Sequence, residues 1–561
     1  MHQLKVFFAA FLCLAVFQGC AAIGKDAGKE GAPVAACNGV NTAVGDYFAV
    51  IDRAKKEHPG LAEALSKFPK GADLHNHLSG TVMPEDYIAM GTADGDCYGP
   101  DPSAPEMFTI RKSGASGACD ADFKPLAQAG EADKQRLVQS LSMERFDYQC
   151  IQSGHDQFCA TFGRFGAVSG PANTGKMLAK LLQQENRDSV TYVETMMSFH
   201  SEALSRLAGQ LRQKYPAPSF YTDSGNYPIL YDYLLGAGLR DAVSAAQGDI
   251  TAYVAGANAV LRCGAADRDP ACGVSVGFQA TVNRNAKSNG CPDLATIFTQ
   301  TAFSMLLSSI DRRVVGVNLL SGEDLSVSMQ SFKTQMQFFR YFHNRFPKVN
   351  IALHGGEITP YFVGEGNTAL KEHLTDSLKA GAKRIGHGVS FAFLSDADKG
   401  EVANLMKVND AAVEVPFTSN AQILGVAGEE HPFSQYFRRY GIPAPLSTDD
   451  EGVSHADFTS EWIYAVMQYG LTFGEAVRLA RYSIQYSFIP GEPLWADVAA
   501  VKTVGRCAGD VPGSLDPAEP CRTFLAGSEK AKTQWDYEAK LSLYAKEYGR
   551  DFGRLLEAPR R

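Results

Sequence analysis

Ala72-Asp73-Leu74-His75 (ADLH) is a short β-type run, and with the following Asn76-His77 it ends on two histidines one residue apart. In a strand, period-two geometry points His75 and His77 to the same side. Seven further β-rich runs follow it: Val190–Glu194 (VTYVE), Val274–Val282 (VSVGFQATV), Val314–Leu319 (VVGVNL), Val349–His354 (VNIALH), Arg384–His387 (RIGH), Ala411–Val415 (AAVEV) and Ala444–Thr448 (APLST). Helical patterns lie between them, among others at Thr174–Glu185, Pro292–Ser309, Ser331–Arg345 and Thr368–Leu378. Alternation of strand and helix argues for parallel pairing, and eight repeats predict an α/β chain folded as a closed (β/α)8 barrel of the TIM type.

Chemistry in such a barrel belongs at the carboxyl ends of the strands. The first run ends in His75-Asn76-His77, the fifth in His354-Gly355-Gly356-Glu357, the sixth in Gly386-His387-Gly388 and the eighth in Thr448-Asp449-Asp450. His75, His77, His354 and a strand-eight carboxylate make an N3O donor set. That set suits one Zn2+ with a coordination position left for water. His387 and Asp450 are then placed to bind or deprotonate the water, and Glu357 to offer a proton to a substrate from another direction. Hydrolytic attack on an sp2 carbon is what this arrangement does. No lysine stands at the end of the fourth run, where Asn318 sits, so one metal is expected rather than two.

The rest of the chain frames this unit. Of 561 residues, 45% are hydrophobic and 20% charged, an ordinary globular balance, so disorder and coiled coil are excluded for most of it. Lys+Arg number 53 against 62 Asp+Glu, a net charge of −9 that lacks the basic footprint of a nucleic-acid binder. Val6–Phe17 is an unbroken apolar run too short to span a bilayer, so residues 1–19 are expected to be a signal peptide. Gly19-Cys20-Ala21 is similar to a lipobox, which makes Cys20 the candidate lipid anchor of an exported protein. Residues 20–40 read as a linker, 41–70 as a helical lead-in, 71–495 as the barrel and 496–561 as a C-terminal extension. Segments near 91–125 and 205–269 exceed what a barrel needs and read as loop-and-helix insertions. Ten of the twelve cysteines follow the signal segment. Cys97/Cys119, Cys150/Cys159, Cys263/Cys272 and Cys507/Cys521 are close enough to close short loops in an oxidising compartment, leaving Cys37 and Cys291 to each other.

The motifs carry a resemblance. Pro69–Thr81 (PKGADLHNHLSGT), His354-Gly-Gly-Glu357, Arg384-Ile-Gly-His-Gly388, Thr418-Ser-Asn420, Ser447-Thr-Asp-Asp450 and Ser487-Phe-Ile-Pro490 resemble, in this order, the motifs of the adenosine/AMP deaminase family. The signal segment, helical lead-in and cysteine-bearing insertion are similar to its extracellular, growth-factor-type branch. The resemblance implies His75, His77, His354 and Asp449 as zinc ligands and Glu357 as the proton donor to purine N1. It implies that His387 orients and helps activate the attacking hydroxide, that Asp450 bonds purine N7, and that the backbone of Gly322 touches N3. The implied reaction is deamination of adenosine, and of 2′-deoxyadenosine, to the 6-oxopurine and ammonia. Three departures bear on substrate: Ser79 stands where intracellular relatives carry an Asp that holds the ribose 5′-hydroxyl, Glu451 replaces a proline, and Val415-Pro416 replaces Cys-Pro. Another 6-aminopurine (adenine or an N6-substituted nucleoside) is the alternative substrate. A silent nucleoside-binding or signalling protein is the alternative class. A homodimer is left open, and contact with a membrane is expected only through Cys20.

Overall fold

The structure, a computed structural model, describes residues 34–114 and 117–556. Its centre is a seven-stranded, all-parallel sheet in simple chain order. The strands are β1 (Gly71–His77), β2 (Val190–Met197), β3 (Ser275–Asn283), β4 (Val314–Leu320), β5 (Asn350–Gly355), β6 (Arg384–His387) and β7 (Ala412–Glu414). They are buried almost throughout because helices cover their outer face and side chains fill the interior.

The expected eighth strand departs from prediction. Residues 444–449 join the sheet only as isolated bridges, Val415 with Leu446 and Asn76 with Asp449. Pro443 and Pro445 explain this, since neither has an N–H to give a ladder. Their carbonyls instead accept from Val413 and Val415 at 2.9 and 3.0 Å. On the other side the Asp449 amide donates to the His75 carbonyl at 2.8 Å, and the His77 amide to the Asp449 carbonyl at 3.1 Å. The barrel therefore closes between β7 and β1 through a segment whose last residue is a predicted metal ligand.

Helices Val34–Glu57 and Pro59–Lys67 precede β1. Thr174–Arg187 buries Met177, Leu178, Leu181 and Leu182 on one face, as an amphipathic barrel helix should. Leu294–Ile310 is buried on nearly all sides. Helices Ser201–Lys214 and Leu239–Leu261, from the second insertion, cover the side that would otherwise meet solvent. The first insertion is a correction to the loop-and-helix reading: Cys97–Asp101 pairs antiparallel with Ala104–Arg111 and with Lys124–Pro125. Buried Phe108 and Ile110 anchor this small sheet. Past the barrel, Leu494, Trp495, Phe524 and Trp535 form a small core of their own around Cys507–Cys521.

Disulfides join Cys97–Cys119, Cys263–Cys272 and Cys507–Cys521. The expected Cys150–Cys159 pair does not form. Cys150 caps the helix Ile151–Phe165 and Cys159 lies within it. Nine residues of helix separate them by about 13 Å, well beyond disulfide reach. The side chain of Cys37 lies outside the described residues, as do the apolar run and Cys20. Among the described residues, no helix is long and apolar enough to cross a membrane.

Candidate metal centre

Four predicted residues converge at the carboxyl ends of the strands. His75 and His77 come from β1, His354 from β5 and Asp449 from the closing segment, and one donor atom of each lies within 4.8 Å of all the others. His77 Nε2 is 3.1 Å from Asp449 Oδ1 and 3.3 Å from His354 Nε2, and His75 Nε2 is 3.4 Å from Asp449 Oδ1. A tetrahedron of donors about 2.0–2.1 Å from a zinc ion has edges of about 3.3 Å, which these three separations match, and the donor types suit that ion. His75 Nε2 and Asp449 Oδ1 are buried and have no hydrogen-bond partner, as donor atoms reserved for a cation should be.

The other nitrogen of each deeply buried ring is held. His75 Nδ1 is 2.7 Å from Glu414 Oε2, and His354 Nδ1 is 3.0 Å from Asn318 Oδ1. These partners fix ring orientation and leave Nε2 facing the site. Behind Glu414, Arg384 Nε donates to its Oε1 at 2.5 Å, and Arg384 Nη2 donates to Glu194 at 2.6 Å, all fully buried. Asp73 ties β1 to the closing segment by accepting from the Thr448 hydroxyl and, at 3.4 Å, from the Thr448 amide.

His387, Glu357 and Asp450 surround the donor set. His387 Nε2 lies 3.7 Å from Glu357 Oε1 and 4.0 Å from Asp449 Oδ2, while its Nδ1 is 2.9 Å from Asn420 Oδ1. Burial lowers the His387 imidazole to about 4 and keeps it neutral. Burial, with the charges of Asp449 and Glu323, raises the Glu357 carboxyl to about 8. Glu357 therefore holds its proton at neutral pH. Asp450 is buried, and burial raises its carboxyl as well. Glycines make room for two of these groups. A Cβ at Gly80 would fall 1.5 Å from Asp450 Oδ1, and one at Gly386 would fall 2.6 Å from the His75 ring. His387 and Asp449 both adopt left-handed backbone, with φ of 64° and 62°. Such strain in residues bearing a Cβ concentrates at functional sites.

These groups floor a cavity of about 400 Å3, also lined by Gly322. Ser79 is half-buried in the turn after β1 and is not among the lining residues. His155, Phe158 and Phe162, from the helix Ile151–Phe165, line the cavity together with Asp324. The sequence reading did not single them out, and their only signal is spacing on one helix face. Glu414 was missed too, although a carboxylate inside an apolar run is a visible anomaly. No lysine or arginine lines the cavity among the described residues.

The barrel and its donor set define the class: a parallel α/β barrel of the metal-dependent hydrolase kind, with four candidate ligands at the carboxyl ends of its strands. The model of the adenosine deaminase family matches residues 268–496. Over 184 residues the chain is 27% identical to the adenosine deaminase of Lactococcus lactis, covering 32% of this chain and 47% of that one. Over 212 residues it is 31% identical to the N6-methyl-AMP deaminase of Danio rerio, covering 36% and 53%. The chain thus spans about half the length of these relatives. Among solved structures, the N6-methyl-AMP deaminase of Arabidopsis thaliana superposes with a TM-score of 0.47 at 17% identity, covering 76% of this chain and 94% of that one. Residues 268–496 thus match the adenosine deaminase family, and the relatives similar to the chain are adenosine and N6-methyl-AMP deaminases.

Proposed function

We propose that this protein is a zinc-dependent deaminase that converts adenosine, and 2′-deoxyadenosine, to the 6-oxopurine nucleoside and ammonia. The observation that carries the reading is the convergence of His75, His77, His354 and Asp449, one donor atom of each within 4.8 Å of the others, beside a cavity lined by Glu357, His387 and Asp450. His75, His77, His354 and Asp449 would hold the ion. Zinc in such a set supplies Lewis acidity at neutral pH.

The chain's own residues supply the rest. Glu357 delivers its proton to purine N1, which makes C6 electrophilic. His387, neutral and oriented by Asn420, takes a proton from the attacking water through Nε2 and returns it to the departing amine. Asp450 bonds purine N7, and the backbone of Gly322 meets N3. Phe158 and Phe162 give the base an apolar wall that keeps water away.

Lining charge favours a nucleoside over a nucleotide. Asp324 and Asp449 face the cavity, and no lysine or arginine offsets a phosphate there. N6-methyl-AMP, for which the Danio rerio relative is named, is the second reading. A screen for 6-oxopurine formation over adenosine, 2′-deoxyadenosine, adenine and N6-methyl-AMP, with ammonia as the co-product of the first three and methylamine of the last, tests the choice. Adenosine preferred supports the proposal, and N6-methyl-AMP preferred overturns it. Binding of adenosine with no 6-oxopurine formed from any of them places the chain among silent nucleoside-binding proteins.

The proposal extends to location. The apolar run Val6–Phe17 and the three disulfides support export, with Cys20 as a lipid anchor. Release from membranes by Cys20→Ser tests the anchor, and unchanged association counts against it.

A further inference from the structure

Glu357 is held by a buried cluster that the chemistry above does not use. Glu323, three residues past the end of β4, is 1% exposed. Its Oε1 accepts from the Gly356 amide at 2.9 Å, and its Oε2 accepts from the amide of Glu357 itself at 2.6 Å. His373 Nδ1 lies 2.5 Å from the same Oε1, and its ring stacks on Phe332 with centroids 3.7 Å apart. Arg284, fully buried just past β3, stands 3.6 Å from Glu323. Its Nη2 donates to the carbonyls of His354 at 2.6 Å and Leu319 at 3.1 Å.

Beyond Gly355 the chain leaves the sheet, so the amides of Gly356 and Glu357 have no ladder partner. Gly356 turns at φ +79°, where a Cβ would fall 2.5 Å from Ser390 Oγ. A turn of this kind needs an external acceptor, and one ionised carboxylate taking both amides is a strong two-point grip. Burying that carboxylate is costly unless it is fully compensated. Here two amides, an imidazole and a guanidinium surround it.

We infer that Glu323 is the positioning residue for Glu357. By gripping the two amides it fixes where the Glu357 carboxyl stands over the cavity, and Arg284 ties the same carboxylate to the carbonyl of His354. The inference rests on the reading of Glu357 as proton donor. It assigns Glu323 no contact with substrate. A misplacement of about 1 Å at a reacting group costs on the order of 10²-fold in rate.

The test uses the full zinc-loaded chain and the substitution Glu323→Gln. In a parent background, kcat for adenosine should fall roughly 10- to 100-fold with KM within threefold and one zinc per chain retained. In a Glu357→Gln background the same change should cost less than about twofold, because a residue acting through Glu357 has nothing left to position. Independently of activity, hydrogen exchange at the Gly356 and Glu357 amides should speed at least about tenfold in Glu323→Gln. Equal losses in both backgrounds, an unchanged kcat, or unchanged exchange overturns the inference. If Glu323→Gln does not fold, Glu323→Asp keeps the charge but is one methylene shorter and cannot span both amides, and the same comparisons apply. A parent that releases no ammonia overturns the deaminase reading together with this one. An active parent with an unaffected variant overturns only this one.

Discussion

Glu414 Oε2 lies 2.7 Å from Nδ1 of His75, while Nε2 of the same ring faces Asp449 Oδ1 at 3.4 Å. A carboxylate on one nitrogen fixes the ring and makes the other nitrogen a better donor to a cation. Arg384 on β6 pins Glu414 on β7, and Glu414 pins His75 on β1. The orientation of the first histidine is thus set by charges carried on two other strands.

Glu414→Gln removes that charge at nearly constant size. Zinc affinity, measured by competition with a chelator of known strength, should fall about 10- to 100-fold. Turnover at saturating zinc should fall less. Unchanged affinity would mean that packing alone orients His75.

His354 and His387 stand side by side, with ring centroids 5.2 Å apart, yet the account gives them different work. His354→Ala should lose zinc and activity together, because the donor set has no spare member. His387→Ala should keep one zinc per chain and lose turnover by about 10²–10⁴-fold, the range for a missing acid or base. Metal analysis of both variants after gel filtration decides the matter. A zinc-free His387→Ala would make His387 a ligand.

The family resemblance implies an acid where Ser79 stands, which predicts loose recognition of the sugar's 5′ end. The structure leaves it off the cavity wall. Ser79→Asp should therefore leave KM for adenosine within about twofold, since a new charged hydrogen bond to the sugar would be worth about 1.5–3 kcal/mol, or tenfold and more. A tenfold drop in KM would place residue 79 in the sugar site.

Much of the site was legible because a barrel strand announces its own end: an apolar run stops, and the next residue is a histidine or an acid. His75, His77, His354, His387 and a carboxylate at Asp449-Asp450 are legible in this way, while the choice of Asp449 rests on the family resemblance. The eighth strand was legible only as a position, since Pro443 and Pro445 reduce its ladder to bridges. The sheet at Cys97–Arg111 was hidden by Gly99, Pro100, Pro102 and Pro105, which read as loop punctuation. Glu414 and Glu323 escaped for a different reason. A carboxylate in sequence looks solvated, and only the fold brings Arg384 to one and Arg284 with His373 to the other.

The central claim is most directly tested by ammonia release from adenosine, compared between the zinc-loaded parent and Glu357→Gln at matched metal content. The substitution keeps the size of the side chain and leaves all four candidate ligands untouched, so zinc should remain at one per chain. The account predicts that the parent releases one ammonia per inosine formed and that Glu357→Gln is slower by at least about 10²-fold, the low end for a lost general acid. Near-parent rates in Glu357→Gln with zinc in place, or a zinc-bound parent that takes up adenosine and releases no ammonia, would contradict it.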